Sequence, residues 1–448
     1  MRTKTHLLKM LCAFTTSILV AGSLSTPALA AKKGSEADRA TKPVVSKVNA
    51  NGYRLDKAVV LSRHDVRAPL ATPGSDLYKM TPHKWINWSS NASELSSKGG
   101  ILETEMGQYF RKYLIQRGLF VENEIPSENS VLFYANSMQR TIATAQYFSS
   151  GFLPIGNSKI VYKYKPSTMD PVFNPQLTYV TPEFEKQALS EIAQMGGKKG
   201  LAGIEKKLDP NFKLLAKILD LKHSEKAKKD GYKAFPTNDL KVNFVKGKEP
   251  NVAGSALQVA TVAADALTLQ YYETLDAKRA AFGNNLTLKQ WEKIAHIKDV
   301  YGDVLFAAPT VARNVANPML KEIQKDLSSR EKFVFLVGHD SNIASVLSAL
   351  DFKKYSLPQS IEKTTPIGSK VLMEVWENSQ NQKFVTFKMV YFSLNQLRHL
   401  KTIDLQDPPM VYDLSLNGIA KNRDGMYSIT DVQNRFDQSI KAYDLYNK

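Results

Sequence analysis

The chain alternates short apolar runs with segments whose apolar residues recur at helical spacing. The runs predict buried strands, because β-branched and aromatic residues dominate them. They are AVVL at 58–61, VLFYA at 131–135, KFVFLVG at 332–338, KVLMEVW at 370–376 and KFVTFKMVYF at 383–392. Between the first two runs, a helical period links Leu102, Met106, Tyr109, Phe110 and Tyr113. The last two runs flank NSQNQ as a hairpin would. This order of elements indicates an α/β fold.

The strand pattern fades between Phe173 and Gly302. Lys-rich amphipathic segments replace it, together with the long Ala-rich run AGSALQVATVAADALTLQYYETL at 253–275. We therefore predict one α/β domain, a sheet flanked by helices, that is built from residues 51–172 and 303–448. An inserted, mainly helical smaller domain is predicted over residues 173–302.

The first thirty residues have the pattern of a secretory signal peptide. A basic start, MRTKTHLLK, precedes the apolar MLCAFTTSILVAGSL, and ALA at 28–30 fits a small-residue cleavage site. We predict a signal peptide over residues 1–30 and a mobile segment over 31–50. The alternative is a retained membrane anchor, but the helix-breaking GSLSTP follows the apolar run at once. Cys12 is the only cysteine, so the exported chain would contain neither a disulfide nor a cysteine metal site.

The formal net charge is +17, which favours anionic ligands and anionic polymers alike. Much of this charge lies in Lys-rich stretches such as GGKKGLAGIEKKL and KHSEKAKKDGYK. No aromatic residues alternate with these lysines in a stacking pattern, so we interpret the stretches as solvated helical faces. We predict no nucleic-acid partner and no stable membrane insertion after signal cleavage.

Charged side chains follow three of the predicted strands directly. SRHDVR continues the first run, HD follows the third run KFVFLVG, and the second run VLFYA leads through NSMQ to an arginine. Ligands of open α/β sheets bind beyond the carboxyl ends of strands, so these side chains should converge. A phosphate monoester suits several arginines that lack matching acids. The gathered residues are Arg63, His64, Asp65, Arg67, Arg140, His339 and Asp340. The alternative is a set of unrelated surface ion pairs and core histidines.

RHDVRAP at 63–69, together with the late GHDSN, resembles the hallmark of the histidine acid phosphatases. Segments such as YANSMQRTIATAQYF, PTVARNVANP and VGHDSNIASVL resemble segments of the glucose-1-phosphatase subfamily and follow one another in the same order. The resemblance implies that His64 is the nucleophile, which becomes a phosphohistidine, and that Asp340 protonates the leaving alcohol. It also implies a set of phosphate-binding residues, namely Arg63, Arg67, Arg140 and His339. No metal and no other cofactor is expected.

Two acidic residues extend the predicted site toward substrate specificity. Asp65 stands where most members of the family have glycine, and Glu249 in GKEPN matches an acidic residue that the resemblance implies over the pocket. Asp65 could orient the nucleophile, contact a substrate hydroxyl or repel a highly charged substrate. Alternatively, it turns into solvent or against Arg67, and Glu249 is an ordinary loop glutamate.

The resemblance implies a periplasmic phosphomonoesterase acting on sugar phosphates such as glucose 1-phosphate. A phytase, which hydrolyses inositol phosphates, is the nearest enzyme alternative. A non-catalytic periplasmic protein that binds phosphate esters is an alternative of a different class. An acidic working pH is expected, because free aspartate ionises near pH 3.9 and the predicted donor, Asp340, needs its proton.

Overall fold

A mixed eight-stranded sheet forms the centre of the protein. The computed structural model describes residues 52–446, apart from 128, 155–157 and 239. Residues 1–30 and 31–50, for which we predict a signal peptide and a mobile segment, lie outside the described residues. The strands are β1 (Arg54–Arg63), β2 (Val131–Ala135), β3 (Ile160–Val161), β4 (Phe333–Gly338), β5 (Lys370–Glu377), β6 (Lys383–Tyr391), β7 (Met410–Asp413) and β8 (Tyr427–Ser428).

The strand order is β3-β2-β4-β1-β5-β6-β7, with β8 also paired to β6. The strands from β3 to β1 are parallel to one another, whereas β1–β5, β5–β6 and β6–β7 are antiparallel. The predicted hairpin is therefore confirmed as β5–β6. Strand β1 starts earlier than the apolar run AVVL predicts, because the preceding RLDK pairs with the far end of β5.

Helices surround the sheet. They are α1 (Asp76–Lys79), α2 (Ser97–Gln116), α3 (Gln139–Phe152), α4 (Pro182–Met195), α5 (Leu201–Ile218), α6 (Glu225–Asp230), α7 (Ala256–Glu273), α8 (Ala277–Ala280), α9 (Leu288–Gly302), α10 (Pro309–Ser328), α11 (Asp340–Ala349), α12 (Leu394–His399) and α13 (Ile429–Tyr446). A π-helical turn, Asp303–Ala307, follows α9 directly. The predicted α/β class, a sheet flanked by helices, is confirmed.

Strand β1 is buried on both faces. Ala58 and Val60 belong to one hydrophobic cluster, and Val59 and Leu61 belong to the other. Side chains alternate across a strand, so a continuous apolar run is required wherever helices cover both faces of a sheet. This burial fixes the register that aligns the ends of the central strands.

Helices α4 to α9 occupy most of the region predicted as an inserted helical domain. The described part of that region contains no strand, apart from an isolated bridge between Asn243 and Asn251. These helices and the sheet belong to the same compact unit. The boundaries at 173 and 302 thus mark a change in secondary structure, and a division into two domains stays a prediction. Within the described residues, no helix combines the length and apolar character needed to cross a membrane.

Candidate active site

The carboxyl ends of β1, β4 and β2 meet at one edge of the sheet. Arg63 pairs with Gly338 at the end of β1–β4, and Ala135 pairs with Val337 at the end of β2–β4. Two further backbone bonds carry the alignment past the strands. The N–H of His64 donates to Gly338 O at 3.0 Å, and that of Asn136 donates to Val337 O at 3.0 Å. Residues that follow different strands therefore face one crevice.

His64 is held as a neutral imidazole whose Nε2 carries no proton. Its Nδ1 lies 2.9 Å from the backbone oxygen of Asp65, and a carbonyl can only accept, so Nδ1 carries the proton. Burial, together with the positive charges of Arg140 and Arg67, lowers the pKa of His64 well below its usual value. Nε2 is therefore an unprotonated nitrogen with a lone pair, which is the form that attacks an electrophile.

His339 has the same tautomer for a different reason. Its Nε2 lies 2.7 Å from Nδ2 of Asn136, whose Oδ1 accepts a hydrogen bond from the backbone N–H of Asp170 at 2.9 Å. The second bond fixes the amide orientation, so Nδ2 donates to Nε2 and the His339 proton sits on Nδ1. Burial and the charge of Arg140 lower the pKa of His339 to about 3. The imidazoles of His64 and His339 lie edge to face, with centroids 5.5 Å apart.

The three arginines each keep an unused donor. Among the described residues, nothing accepts a hydrogen bond from the buried Nε of Arg63, Arg67 or Arg140. Arg67 bonds Asp265 at 3.0 Å and the Ala68 carbonyl at 3.0 Å through its other nitrogens. Arg140, near the start of α3, has no ion pair in the described part of the chain. Buried donors normally find partners, so these three groups are available to bind an anion that has several oxygens.

Asp340, the first residue of α11, lies within an alternating set of charges. Its Oδ2 is 2.5 Å from Lys298 Nζ and 3.5 Å from Arg63 Nη2. Glu362 completes the set, at 2.8 Å from Arg63 and 3.5 Å from Lys298. Burial alone would raise the pKa of Asp340, but Lys298 and Arg63 outweigh it and hold that pKa well below its usual range. Asp340 is therefore ionised in the free protein.

These residues surround a cavity of about 450 Å³. Its lining includes His64, Arg67, Arg140, His339 and Asp340, and we call the cavity together with its lining residues the front pocket. Arg63 does not line the cavity but contacts Asp340, which does. Other parts of the wall carry carboxylates, namely Glu249, Asp265, Asp299 and Asp303. In the residues that the structure describes, no group of three or more His, Cys, Asp or Glu side chains is arranged to hold a metal ion.

Comparisons with known proteins agree with this geometry. The sequence profile of the histidine phosphatase superfamily (branch 2) matches residues 54–392. The chain belongs to this superfamily. It is 37% identical over 405 residues to the glucose-1-phosphatase of Salmonella typhimurium, covering 89% of this chain and 95% of that protein. It is 39% identical over 388 residues to the glucose-1-phosphatase of Providencia rettgeri, covering 85% and 90%.

A solved structure is also similar to this histidine phosphatase. The phytase from Citrobacter braakii superposes with a TM-score of 0.77 at 26% identity, covering 87% of this chain and 97% of that one. The predictions of the family and of an acid phosphatase are confirmed.

Asp65 of this histidine phosphatase does not reach the front pocket. It is fully buried, is not among the residues that line the cavity, and accepts from the Val66 N–H at 2.6 Å. Its Oδ2 packs against Gly368, where a Cβ would approach to 2.3 Å. Contact of Asp65 with a substrate, with solvent or with Arg67 is therefore contradicted, because its short side chain points into the protein interior.

Asp65 instead joins Glu103 on α2 and Lys370 on β5, which together we call the back cluster. Lys370 Nζ lies 2.7 Å from Glu103 Oε1, and both side chains are 0% exposed. Glu103 is also hydrogen-bonded to Asp65, although neither Asp65 Oδ2 nor Glu103 Oε2 has a donor elsewhere in the described chain. Burial and Asp65 raise the pKa of Glu103 to about 8 against the opposing charge of Lys370. Glu103 therefore keeps its proton and donates it to Asp65.

Sequence reasoning missed several residues of this site. Asn136 follows β2 directly, so the same strand-end argument that selected the histidines could have found it. Asp265 is a charged residue within a largely apolar helix, which is a detectable but common pattern, whereas Lys298 lies in a helix with several other charged residues and gave no such signal. Glu362 and Glu103 gave no local signal, because their partners Arg63 and Asp65 are distant in the chain.

Proposed function

We propose that the protein hydrolyses phosphate monoesters of small sugars, such as glucose 1-phosphate, through a phosphohistidine on His64. The observation that carries the proposal is that Arg67, Arg140 and His339 line the same cavity as His64, whose Nε2 carries no proton. Within the described residues the Nε groups of Arg67 and Arg140, and that of Arg63 beside Asp340, have no acceptor. A phosphoryl group supplies several anionic oxygens and an electrophilic phosphorus in a single ligand.

Each of these side chains then has a defined role in the reaction. His64 Nε2 attacks phosphorus and forms the P–N bond while the bond to the leaving oxygen breaks. Arg63, Arg67, Arg140 and the Nδ1–H of His339 hold the phosphoryl oxygens, whose charge they stabilise in the transition state. Asp340 gives a proton to the leaving alcohol, and a water then attacks the phosphohistidine and returns a proton to Asp340.

The pocket wall favours a substrate with a single phosphate. Glu249 and Asp303 also line the cavity, and Asp265 already pairs with Arg67. A second phosphate would approach these carboxylates, and like charges brought together cost free energy. The glucose-1-phosphatases of Salmonella typhimurium and Providencia rettgeri support the same substrate class. A phytase is the alternative that the 26% identical phytase of Escherichia coli supports.

Release of inorganic phosphate tests the proposal directly. We expect steady turnover of glucose 1-phosphate and a lower kcat/KM for inositol hexakisphosphate at the same pH and ionic strength. A preference for inositol hexakisphosphate would support the phytase alternative. Stoichiometric binding of glucose 1-phosphate without release of phosphate would instead indicate the non-catalytic binding protein.

We further propose export to the periplasm through residues 1–30, with no metal or other cofactor and no nucleic-acid partner. The basic and then apolar start of the chain supports export. The arginines of the front pocket supply the positive charge that a metal ion supplies in other phosphoryl-transfer sites. Mass analysis of the mature protein from a bacterial periplasmic fraction tests the cleavage after Ala30.

A further inference from the structure

Lys298 occupies a position that no step of the proposed hydrolysis uses. It projects from α9 into the front pocket with a side chain that is only 15% exposed. Its Nζ lies 2.5 Å from Asp340 Oδ2 and 3.5 Å from Glu362 Oε1. Lysine carries its charge on a flexible stem, so it can pass between neighbouring anions without any backbone movement.

The ion pair conflicts with the role of Asp340 as a proton donor. Oδ2 of Asp340 contacts Lys298 and Arg63, and Oδ1 accepts from the Ser341 N–H at 2.9 Å. Both oxygens therefore face donors, which stabilise the ionised carboxylate and leave no favourable place for a proton. In the free protein Asp340 has no proton to give.

We propose that Lys298 moves from Asp340 to the bound phosphate ester, and that this movement allows Asp340 to take up the proton it later donates. The proposal rests on the proposed function for the use of that proton. The proton comes from solvent through the open side of the cavity. It passes from Asp340 to the leaving oxygen as the P–O bond breaks, and Asp340 is left ionised for the second half of the reaction.

The other charges around Asp340 do not replace Lys298. Arg63 is held by Glu362 and by the Thr365 carbonyl, at 2.8 and 2.6 Å, so its guanidinium is fixed. The remaining titratable groups that interact with Asp340 are His64, Arg140, Glu249, Tyr301 and His339. Both imidazoles are neutral, Arg140 has the ester as a partner, and Glu249 and Tyr301 are not cations. Lys298 is therefore the cation whose movement changes the proton affinity of Asp340.

Proton uptake on binding inorganic sulfate tests the proposal without requiring turnover. Sulfate is a tetrahedral dianion that does not titrate near pH 5, so calorimetry in buffers of different ionisation enthalpy reports protons bound by the protein. We expect the wild type to take up close to one proton per sulfate more than Asp340→Asn does. In Lys298→Met, the cation that most lowers the pKa of Asp340 is absent before sulfate binds, so binding changes that pKa less and we expect at most about half of that uptake.

Two variants make the result specific. Lys298→Arg keeps the charge and should retain most of the uptake, which also covers a failure of Lys298→Met to fold. Lys293→Met removes an exposed lysine from the same helix and should behave as the wild type. The proposal is overturned if Lys298→Met keeps the full uptake, if wild type and Asp340→Asn do not differ, or if sulfate does not bind. The proposed hydrolysis fails separately, by an absence of phosphate release.

Discussion

The front pocket and the back cluster are two charged regions that meet at His64, and each holds charge of one sign that lacks a partner. In the front pocket the charge beside the histidines is positive: within the described residues Arg140 forms no ion pair and keeps an unused Nε, although other parts of the wall carry carboxylates. The back cluster has acids in excess, since Asp65 and Glu103 share the single cation Lys370. The front pocket opens into a cavity, whereas the back cluster is sealed from solvent.

The difference shows how a protein resolves surplus charge in each setting. An unpaired buried charge is costly, so a region that ligands can enter is stabilised by binding a counterion. A sealed region can admit only a proton, and the back cluster reaches near neutrality by keeping one on Glu103. We interpret the front pocket as a binding device and the back cluster as a structural support for the residue next to His64.

The largest expected effect comes from His64, which both regions adjoin. His64→Ala should lower kcat on the order of ten-thousandfold or more, because the nucleophile is lost. Acid quench of the wild type with a labelled ester should trap phosphate in an acid-labile, alkali-stable linkage on His64. Substantial turnover by His64→Ala would show that the front pocket does not act through a phosphohistidine.

Removing the only cation of the back cluster should cost stability. Lys370→Met leaves the Asp65 carboxylate buried without a counterion, so the free energy of unfolding should fall by about 3–5 kcal/mol. Denaturant unfolding measures the change, with the exposed Lys353→Met as the matched control. If Lys370→Met is as stable as the control, the back cluster is not held together by its charges.

Removing a cation from the front pocket should have the opposite outcome. Arg140→Met should lower kcat/KM about a hundredfold to a thousandfold, because a phosphoryl oxygen loses a fixed donor. Its unfolding temperature should stay unchanged or rise, because burial and the neighbouring Arg67 already disfavour the charge and lower the pKa of Arg140 to about 10. A clear loss of stability without a loss of activity would show that Arg140 supports the fold and does not bind the phosphoryl group.

The shared proton of the back cluster should make stability depend on pH. The pKa of Glu103 is raised to about 8 in the fold, so its contribution is complete below the unfolded pKa near 4.3 and is lost as pH rises through about 8. Glu103→Gln replaces the carboxyl proton by an amide N–H that does not titrate. Between pH 6 and 9 its free energy of unfolding should therefore fall less than that of the wild type, by on the order of 2 kcal/mol.

Unfolding of Glu103→Gln, of the wild type and of the exposed Glu122→Gln across this pH range checks the assignment. Parallel pH profiles for all three proteins would mean that no proton is shared between Glu103 and Asp65.

The smallest expected effect concerns the wall of the front pocket. Glu249 is exposed and lines the cavity, so solvent screens its charge. Glu249→Gln should raise the ratio of kcat/KM for inositol hexakisphosphate to that for glucose 1-phosphate about two- to fivefold. The exposed Glu183→Gln serves as control, and an equal ratio in both variants would remove Glu249 from substrate discrimination.

Much of the fold could be predicted because its determinants are local. Strands buried on both faces require continuous apolar runs such as VLFYA, and such a run can be recognised in the sequence without knowing its partner strand. The convergence of His64, Arg140 and His339 also followed, because parallel strands end at one edge and each residue lies just beyond such an end. The RHDVRAP motif added the family, since its spacing is a local property as well.

The sequence by itself determined which groups stand at the strand ends, but only the tertiary structure decided what those groups contact. Asp65 and His64 are neighbours in the chain, yet one joins a sealed cluster and the other lines a cavity. The protonation of Asp340 depends on Lys298, 42 residues away, and that of Glu103 depends on Asp65 and on Lys370, 267 residues away. Electrostatic energies depend on distance and burial in space, and no local pattern in the chain encodes either quantity.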